Sequence, residues 1–308
     1  MNLLLLFGGL ALLFIAGELL VSGSVKVAYR FKVSKLVVGL TVVSLGTSAP
    51  ELFVSIIAAL KGHPDIAVGN VIGSNIANIG LVIAFTVIFF PIIINKNVRM
   101  VDYPVMIIAT GIFYFLFKTG SADRIDGAVL IFLLVSYIFI LIRNSRKETK
   151  ANNDVIPVTN KSLLIAITFI FVGVIGLYFG SGWFLEGATG LAKNYGLSDH
   201  IIGVTIVAFG TSVPELATSF IAAYRKHGDM AIGNILGSNV FNIHAVIGGT
   251  SLIQNLTFTE SLTSDVFWMI GFALILLPAF YFQRKLNRFY GFILLAGYCY
   301  YIYSSLVS

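Results

Sequence analysis

Charged side chains are scarce in this chain of 308 residues. Asp, Glu, Lys and Arg make up 11% of it, 57% is hydrophobic, and the mean hydropathy is +0.94. This composition excludes an ordinary soluble domain, which carries about a quarter charged residues. Cysteine is nearly absent as well. The single Cys299 excludes an internal disulfide and a multi-thiolate metal site within one chain.

Apolar runs long enough to cross a bilayer recur along the whole chain. A helix needs about 20 residues to cross about 30 Å of hydrocarbon. Ten runs reach this length, at approximately 3–24, 36–60, 66–94, 100–118, 125–142, 162–192, 200–224, 230–255, 264–283 and 289–307. The sequence therefore predicts an all-α polytopic membrane protein with ten transmembrane helices, named spans 1 to 10. We expect span 1 to be a helix rather than a signal peptide, because it is long and lacks a basic start.

Lys and Arg are distributed unevenly among the loops. The loops after spans 1, 3, 5, 7 and 9 hold 16 of the 20 Lys and Arg residues. Cytoplasmic loops are enriched in these residues, so this pattern predicts both termini outside a cell membrane. The basic residues that give the net charge of +6 then indicate the orientation of the chain in the membrane rather than nucleic-acid binding. The longest such loop predicts a cytoplasmic linker at 144–161, between one five-helix repeat at 1–143 and a second at 162–308.

The two halves of the chain repeat each other. Val37–Ile79 aligns without a gap with Ile201–Ile243, with 23 identities in 43 positions. Equivalent points are five spans apart, an odd number, so the second copy must enter the membrane from the opposite side. The chain is therefore predicted to contain two inverted five-helix repeats, as many secondary transporters do. The alternative is a duplication without a transport role, against which the polar identities inside apolar spans argue.

One repeated segment interrupts spans 2 and 7. Gly46-Thr-Ser-Ala-Pro-Glu51 returns as Gly210-Thr-Ser-Val-Pro-Glu215. Proline lacks an N–H and clashes with the carbonyl four residues earlier, so the helix is predicted to break near Gly46 and Thr47 and then to restart, with the same break expected ahead of Pro214. Such breaks free carbonyl oxygens and place hydroxyls at the new helix ends. At membrane depth, irregular backbone is tolerated only inside protein or along a cavity, where transporter sites form.

The two glutamates of this segment require an explanation at membrane depth. A carboxylate at the centre of a bilayer costs about 2.5 to 3.5 kcal/mol on insertion scales. Inverted copies would bring Glu51 and Glu215 together near a pseudo-twofold axis. Carboxylate, hydroxyl and carbonyl oxygens suit Ca²⁺ or Na⁺, and no Cys or His cluster accompanies them for zinc or copper. The residues therefore predict a shared cation site. The alternative is a pair of protonated glutamates bonded to neighbouring helices.

A second repeated segment combines small residues with amides and hydroxyls. Gly69-Asn-Val-Ile-Gly-Ser-Asn75 returns as Gly233-Asn-Ile-Leu-Gly-Ser-Asn239. The small residues permit close helix approach, and the polar ones are suited to hydrogen bonding or coordination. One helix face is shared by residues four apart, namely Ser74 with Asn78 and Ser238 with Asn242. Bracing between helices is favoured over coordination for four amides, those of Asn70, Asn75, Asn234 and Asn239.

Three other polar residues of the spans are weaker candidates for a transport role. Glu18, toward the end of span 1, is expected to reach the interface or to pair with Lys26, and Glu186 is similar in span 6. His244 is expected to be a buried, hydrogen-bonded neutral histidine, with a proton sensor as the alternative.

At these motifs the chain resembles the cation/calcium antiporter superfamily, specifically the archaeal and bacterial sodium/calcium exchangers. The resemblance extends over the ten spans, the inverted halves and both repeated motifs. It implies a secondary active transporter rather than an enzyme, with Ca²⁺ and Na⁺ as substrates and no cofactor. Its surroundings are the lipid bilayer, with no obligate protein partner. It also implies alternating access, in which spans 1 and 6 slide past the other spans.

The resemblance further implies a ligand set. Ca²⁺ is expected to bind the carboxylates of Glu51 and Glu215 and the carbonyls of Thr47 and Thr211. Sodium sites are expected at Ser48, Ser74 and the Ser44 carbonyl in the first half, and at Ser212, Ser238 and the Ala208 carbonyl in the second. Asn78 and Asn242 complete the predicted set. Several relatives carry an acid at one or both of these two positions, as the potassium-dependent branch does, so the two amides favour potassium independence.

Three other functions are alternatives to Na⁺/Ca²⁺ antiport. A Ca²⁺/H⁺ antiporter is the nearest alternative, because protons can replace Na⁺ on the two glutamates. An ion channel would show conductance without counter-transport. An intramembrane hydrolase is weaker, because neither a Ser with His pairing nor a His-rich metal constellation repeats within the spans.

Overall fold

The computed structural model describes residues 1–151, 159–195 and 208–307. These residues contain nine helices long and apolar enough to cross a membrane: Asn2–Phe31, Lys35–Leu60, Pro64–Phe89, Val98–Thr119, Arg124–Lys147, Asn160–Asn194, Gly228–Ile253, Glu260–Gln283 and Arg288–Val307. They are spans 1 to 6 and 8 to 10. Of predicted span 7, the described part consists of the helices Ala208–Thr211 and Val213–Tyr224, and residues 200–207 lie outside the described residues. The predicted all-α membrane fold is confirmed.

The predicted break in span 2 is wrong. An α-helix runs without interruption over Ser44–Leu60 and contains Pro50. A proline inside a transmembrane helix is tolerated because hydroxyl side chains and neighbouring helices satisfy the groups that it frees. In span 7, by contrast, Ser212 leaves the helical conformation, with φ −92° and ψ 4°, and a new helix begins at Val213. The break predicted there is present.

Several spans contain π-helical turns, which the sequence patterns did not predict. In span 2, Gly39–Val43 is π-helical. In spans 3 and 8, π-helical turns occupy Asn78–Ile83 and Asn242–Ile247, and both begin at the same position of the repeat. Two further π turns, Val98–Asp102 and Ala279–Gln283, lie in spans 4 and 9. π turns are rare and often occur at functional sites. The matched pair therefore draws attention to spans 3 and 8.

Spans 3 and 8 form the centre of the bundle, and spans 1 and 6 pack lengthwise against each other at its side. The close approach of spans 1 and 6 depends on glycine. A Cβ atom at Gly23 would lie 2.6 Å from the Ala166 carbonyl oxygen, and one at Gly173 would lie 2.8 Å from the Leu20 nitrogen. Small residues at such contacts let helix backbones pack tightly in a membrane. This pair of spans is therefore a closely packed unit.

Two short antiparallel strand pairs join the halves. Strand β1 (Ile92–Ile93), after span 3, pairs with β4 (Lys285–Leu286), after span 9. Strand β2 (Ser121–Ala122), after span 4, pairs with β3 (Leu256–Thr257), after span 8. Each strand has two residues, so no periodicity in the sequence predicts it. Each pair connects a loop of the first repeat to a loop of the second.

The predicted linker at 144–161 begins too early. The helix of span 5 continues to Ala151, and span 6 begins at Asn160 with Thr159 as its N-cap. Lys, Arg and Glu are good helix formers, so a polar segment can extend a transmembrane helix beyond its apolar part. The rest of the predicted linker, residues 152–158, lies outside the described residues.

Candidate functional site

The repeated motifs of both halves meet at the centre of the bundle. Spans 2, 3, 7 and 8 carry them and pack against one another. Both motif glutamates are fully buried, with Glu51 1% exposed and Glu215 0% exposed. The helices that carry them, Ser44–Leu60 and Val213–Tyr224, contact each other. The inverted repeat therefore brings together two acidic side chains that are 164 positions apart in the chain.

A hydrogen bond links the two glutamate motifs. The Ser48 hydroxyl donates to Oε1 of Glu215 at 3.2 Å, across the two halves. Among the described residues, neither the second oxygen of Glu215 nor either carboxylate oxygen of Glu51 has a hydrogen-bond partner. Removing a carboxylate from water without a partner costs several kcal/mol. Two carboxyl groups buried with so few partners fit a bound cation or, in the alternative, protonated glutamates.

Neutral oxygens of the repeated motifs are also buried without a partner among the described residues. Together with the carboxylates they make seven such atoms: Oε1 and Oε2 of Glu51, Oε2 of Glu215, Oγ of Ser74 and Ser212, and Oδ1 of Asn78 and Asn242. Buried polar atoms in folded proteins are nearly all hydrogen-bonded, and each exception requires an explanation. All seven atoms are oxygens, the donor type preferred by Ca²⁺ and Na⁺. Cation binding is therefore one explanation for this group of atoms.

Thr47 connects the first motif to span 8. Its hydroxyl lies 3.3 Å from the carbonyl oxygen of Ser44 and 3.3 Å from Oδ1 of Asn234. The hydroxyl of Ser238 is 3.5 Å away. Ser44 is buried in the first turn of the helix that carries Glu51. These predicted residues lie together in the same part of the core.

In the second half, the predicted residues flank the break in span 7. Ala208 and Thr211 begin and end a four-residue helix. Ser212 is buried at the break itself. Glu215 follows in the first turn of the restarted helix, as predicted.

Two asparagines brace the motif helices. Nδ2 of Asn70 donates to the Glu51 carbonyl oxygen at 3.2 Å and to Oγ of Ser55 at 3.0 Å. Nδ2 of Asn234 donates to Oγ1 of Thr218 at 3.0 Å and to Oγ of Ser219 at 2.9 Å. In each half, these bonds join the second motif to the helix that carries the glutamate; there are four in all. This geometry matches the bracing role favoured from the sequence.

Four other asparagines of spans 3 and 8 form two hydrogen bonds between the halves. Nδ2 of Asn78 donates to Oδ1 of Asn239 at 3.0 Å. In the same way, Nδ2 of Asn242 donates to Oδ1 of Asn75 at 3.1 Å. Asn75 and Asn239 therefore brace spans 3 and 8 against each other.

The predicted pairing of Glu18 with Lys26 is wrong. Glu18 accepts hydrogen bonds from Arg225 instead, at 2.7 Å from Nη2 and 3.1 Å from Nε. Lys26 is two helical turns away from Glu18, and its amine lies over the Phe169 ring. No local pattern predicts an ion pair between residues 207 positions apart.

The remaining two weaker candidates are His244 and Glu186. Nδ1 of His244 is 3.0 Å from the carbonyl oxygen of Val240, one turn earlier in span 8, as expected for a buried, hydrogen-bonded histidine. Glu186 is exposed in span 6.

Comparisons with known proteins agree with this architecture. The chain is 36% identical over 292 residues to the uncharacterized membrane protein MJ0091 of Methanocaldococcus jannaschii, a match covering 94% of this chain and 93% of that protein. It is 28% identical over 336 residues to the sodium/calcium exchanger MaX1 of Methanosarcina acetivorans, covering 96% of both. A solved structure of the sodium-calcium exchanger NCX_Mj superposes with a TM-score of 0.84 at 33% identity, covering 98% of each chain.

The family described as sodium/calcium exchanger protein matches residues 1–143 and 165–307, nearly the whole chain. Its members are membrane transporters rather than enzymes, and they use no cofactor. Their transported substrates are Ca²⁺ and Na⁺. The predicted transporter class and multi-pass membrane location are thereby confirmed. The chain belongs to the sodium/calcium exchanger family.

Proposed function

We propose that the chain exchanges Na⁺ for Ca²⁺ across the cell membrane by alternating access, with both ions bound in mid-membrane by Glu51 and Glu215. The observation that carries this proposal is a group of seven buried oxygens, in or just after the repeated segments, that have no hydrogen-bond partner among the described residues. Other buried hydroxyls without such a partner, those of Ser24 and Thr86 among them, lie outside the segments. The seven oxygens lie in spans 2, 3, 7 and 8, beside the break in span 7, and discontinuous helices are where transporter sites form.

Ca²⁺ coordination would combine both halves of the protein. Ca²⁺ takes six to eight oxygen ligands and favours carboxylates. Glu51 and Glu215 supply the charge in this proposal, and the carbonyls of Thr47 and Thr211 supply neutral oxygens. Two carboxylates neutralise one Ca²⁺, so the bound state carries no net formal charge. The same two carboxylates would be the anchor for Na⁺, which makes binding of the two ions competitive.

Sodium would bind the hydroxyls and carbonyls around the carboxylates. In the first half the proposed ligands are Ser48, Ser74 and the Ser44 carbonyl, and in the second half they are Ser212, Ser238 and the Ala208 carbonyl. The oxygens of Asn78 and Asn242 complete the set. If three Na⁺ exchange for one Ca²⁺, each cycle moves one net charge, which is worth about 2.3 kcal/mol per 100 mV.

The proposed orientation places both termini outside the cell membrane, because most Lys and Arg residues follow odd-numbered spans. The repeats at 1–143 and 162–308 would be the two inverted units, joined by a cytoplasmic connection within 144–161. Alternating access would proceed by sliding of the closely packed spans 1 and 6 along the remaining spans.

Flux measurements test the exchange reaction. In proteoliposomes loaded with Na⁺ at fixed pH, we expect an outward Na⁺ gradient to drive uptake of radioactive Ca²⁺. Replacement of internal Na⁺ by choline should abolish the uptake. Ca²⁺ uptake that ignores Na⁺ but follows a pH gradient would establish the alternative Ca²⁺/H⁺ antiport, and current without counter-transport would establish a channel.

A matched variant tests the site in the same assay. Glu51→Gln keeps the side-chain shape and removes the charge, so we expect folded protein without exchange. Glu186→Gln serves as the control, because Glu186 is exposed in span 6 and outside the proposed site. Retained Ca²⁺ exchange in Glu51→Gln would overturn the site assignment.

Cysteine labelling tests the orientation. In a Cys299→Ser background, we expect a cysteine at exposed Lys61 to react with an impermeant maleimide on intact cells. A cysteine at exposed Arg146 should react only after permeabilisation. The reverse pattern would invert the proposed topology.

A further inference from the structure

The amide bonds between spans 3 and 8 are reciprocal. Asn78 donates to Asn239, and Asn242 donates to Asn75. The inverted repeat interchanges the two bonds, since Asn78 corresponds to Asn242 and Asn75 to Asn239. All four side chains are buried, none more than 2% exposed. The same polar arrangement thus occurs twice in the core.

These bonds decide which end of each donor amide is free. An asparagine side chain has an oxygen that accepts and an NH₂ group that only donates. In both Asn78 and Asn242 the NH₂ group is used by the partner amide, and Oδ1 is buried without a hydrogen-bond partner among the described residues. Only the oxygen end can coordinate a cation, because the NH₂ end presents positive partial charge.

Methionine sulfurs orient the two accepting amides, those of Asn75 and Asn239. Nδ2 of Asn239 lies 3.7 Å from the sulfur of Met106, and Nδ2 of Asn75 lies 3.7 Å from the sulfur of Met269. A thioether has no proton to donate, so it can face only the NH₂ end of an amide. Nδ2 of Asn75 is also 3.5 Å from the backbone carbonyl of Asn239. The oxygen ends of Asn75 and Asn239 therefore point to their donor partners.

We propose that Asn75 and Asn239 are positioning residues that hold the amide oxygens of Asn242 and Asn78 ready for cation binding. The inference rests on the proposed cation site and extends it by two residues that do not contact the ion. In each copy, a methionine sulfur faces the NH₂ group of the accepting amide, and the oxygen of that amide accepts from the NH₂ group of the donor amide. We call this series of contacts a relay. Without the accepting amide, the donor amide is free to rotate and to present its NH₂ group to the ion.

Substitution of the accepting residue tests the relay. Asn239→Leu removes both polar ends at similar volume. We expect the apparent affinity for at least one of Ca²⁺ and Na⁺ to fall tenfold or more, measured by equilibrium binding of radioactive Ca²⁺ and its displacement by Na⁺ in purified protein. Thermal unfolding shows whether the variant is folded. If Asn239→Leu does not fold, Asn75→Leu tests the equivalent relay to Asn242.

A double-mutant cycle separates orientation from a merely structural role. Asn78→Asp replaces the amide by a carboxylate, whose two oxygens are equivalent and need no orientation. At pH 8 we therefore expect Asn239→Leu to change ion affinity less than threefold in the Asn78→Asp background. The same cycle with Asn75→Leu and Asn242→Asp should agree. An equal loss in both backgrounds would show that Asn239 only supports the packing, and would overturn the proposal.

The outcomes also separate this inference from the proposed function. If the unaltered protein shows neither Na⁺-driven Ca²⁺ exchange nor competition between the ions, the proposed function fails. If it shows both, while Asn239→Leu and Asn75→Leu fold and bind both ions within twofold of the unaltered protein, only the positioning role fails.

Discussion

The two copies of the glutamate motif have nearly the same sequence and different backbones. In span 2 the helix continues through Pro50, whereas in span 7 it stops at Thr211 and restarts at Val213. The segments differ at one position of six, Ala49 against Val213. Local sequence therefore does not decide between the two conformations. The difference therefore arises from the surroundings of each copy.

The side-chain hydrogen bonds of the equivalent serines also differ between the two copies. The Ser48 hydroxyl in the continuous helix donates to Glu215, while the Ser212 hydroxyl at the break has no hydrogen-bond partner among the described residues. The asymmetry between the two copies therefore extends from the backbone to the hydrogen bonds of the serines.

The largest expected effect concerns the two glutamates. Glu51→Gln and Glu215→Gln should each abolish Ca²⁺ exchange, because either change leaves one negative charge for a divalent ion. Without ions, and at a pH at which both carboxyls are ionised, each should raise the melting temperature, since each removes a buried charge. The rise should be larger for Glu51→Gln, because Glu51 lacks the hydrogen bond that Glu215 receives. Differential scanning fluorimetry in ion-free buffer measures this difference, and a larger rise for Glu215→Gln would contradict it.

The prolines probe the backbone difference directly. Pro50→Ala restores an N–H inside a continuous helix, and should raise the free energy of unfolding by about 1–3 kcal/mol. Pro214 lies in the first turn of a helix, where a backbone N–H has no helical partner. Pro214→Ala should therefore change the free energy of unfolding by less than about 0.5 kcal/mol. Denaturant unfolding in detergent provides the comparison. Equal effects would mean that the two helices do not differ in solution.

The serines before the prolines should differ in the absence of ions. Ser48→Ala removes a hydrogen bond to the Glu215 carboxylate and should cost about 1.5–3 kcal/mol if that group is ionised. Ser212→Ala removes a hydroxyl without a partner among the described residues, and should be within about 0.5 kcal/mol of the unaltered protein. With Na⁺ present, both variants should show weaker Na⁺ stabilisation. A Ser212→Ala variant that loses as much stability as Ser48→Ala in ion-free buffer would contradict the asymmetry.

The smallest expected effect concerns the ends of spans 2 and 7. Arg225 forms an ion pair with Glu18, but the side chains are 54% and 38% exposed, so Arg225→Ala should cost only about 0–1 kcal/mol. Lys61 occupies the equivalent repeat position and is exposed. Lys61→Ala is the matched control, with no expected change in melting temperature. A loss above about 2 kcal/mol in Arg225→Ala would show that the pair has a larger role than its exposure indicates.

Much of the fold and the site was predictable from patterns. Apolar runs of membrane length identified the spans, and the matched motifs indicated that Glu51 and Glu215 lie together in an inverted repeat. The predicted break at Pro50 was wrong, because proline effects inside a membrane depend on which neighbours satisfy the freed groups. The Glu18–Arg225 pair and the strand pairs escaped prediction, because they join residues remote in sequence without any periodic signal.

By itself, the sequence determined that this is a polytopic membrane protein with two inverted repeats and two buried carboxylates, since hydrophobic length and internal similarity are properties of the chain alone. Only the tertiary structure decided which copy of the motif breaks, and which buried oxygens have no hydrogen-bond partner. Those outcomes depend on contacts between spans 2, 3, 7 and 8. A buried polar atom is satisfied or left free by its neighbours in space, and the order of residues along the chain does not specify them.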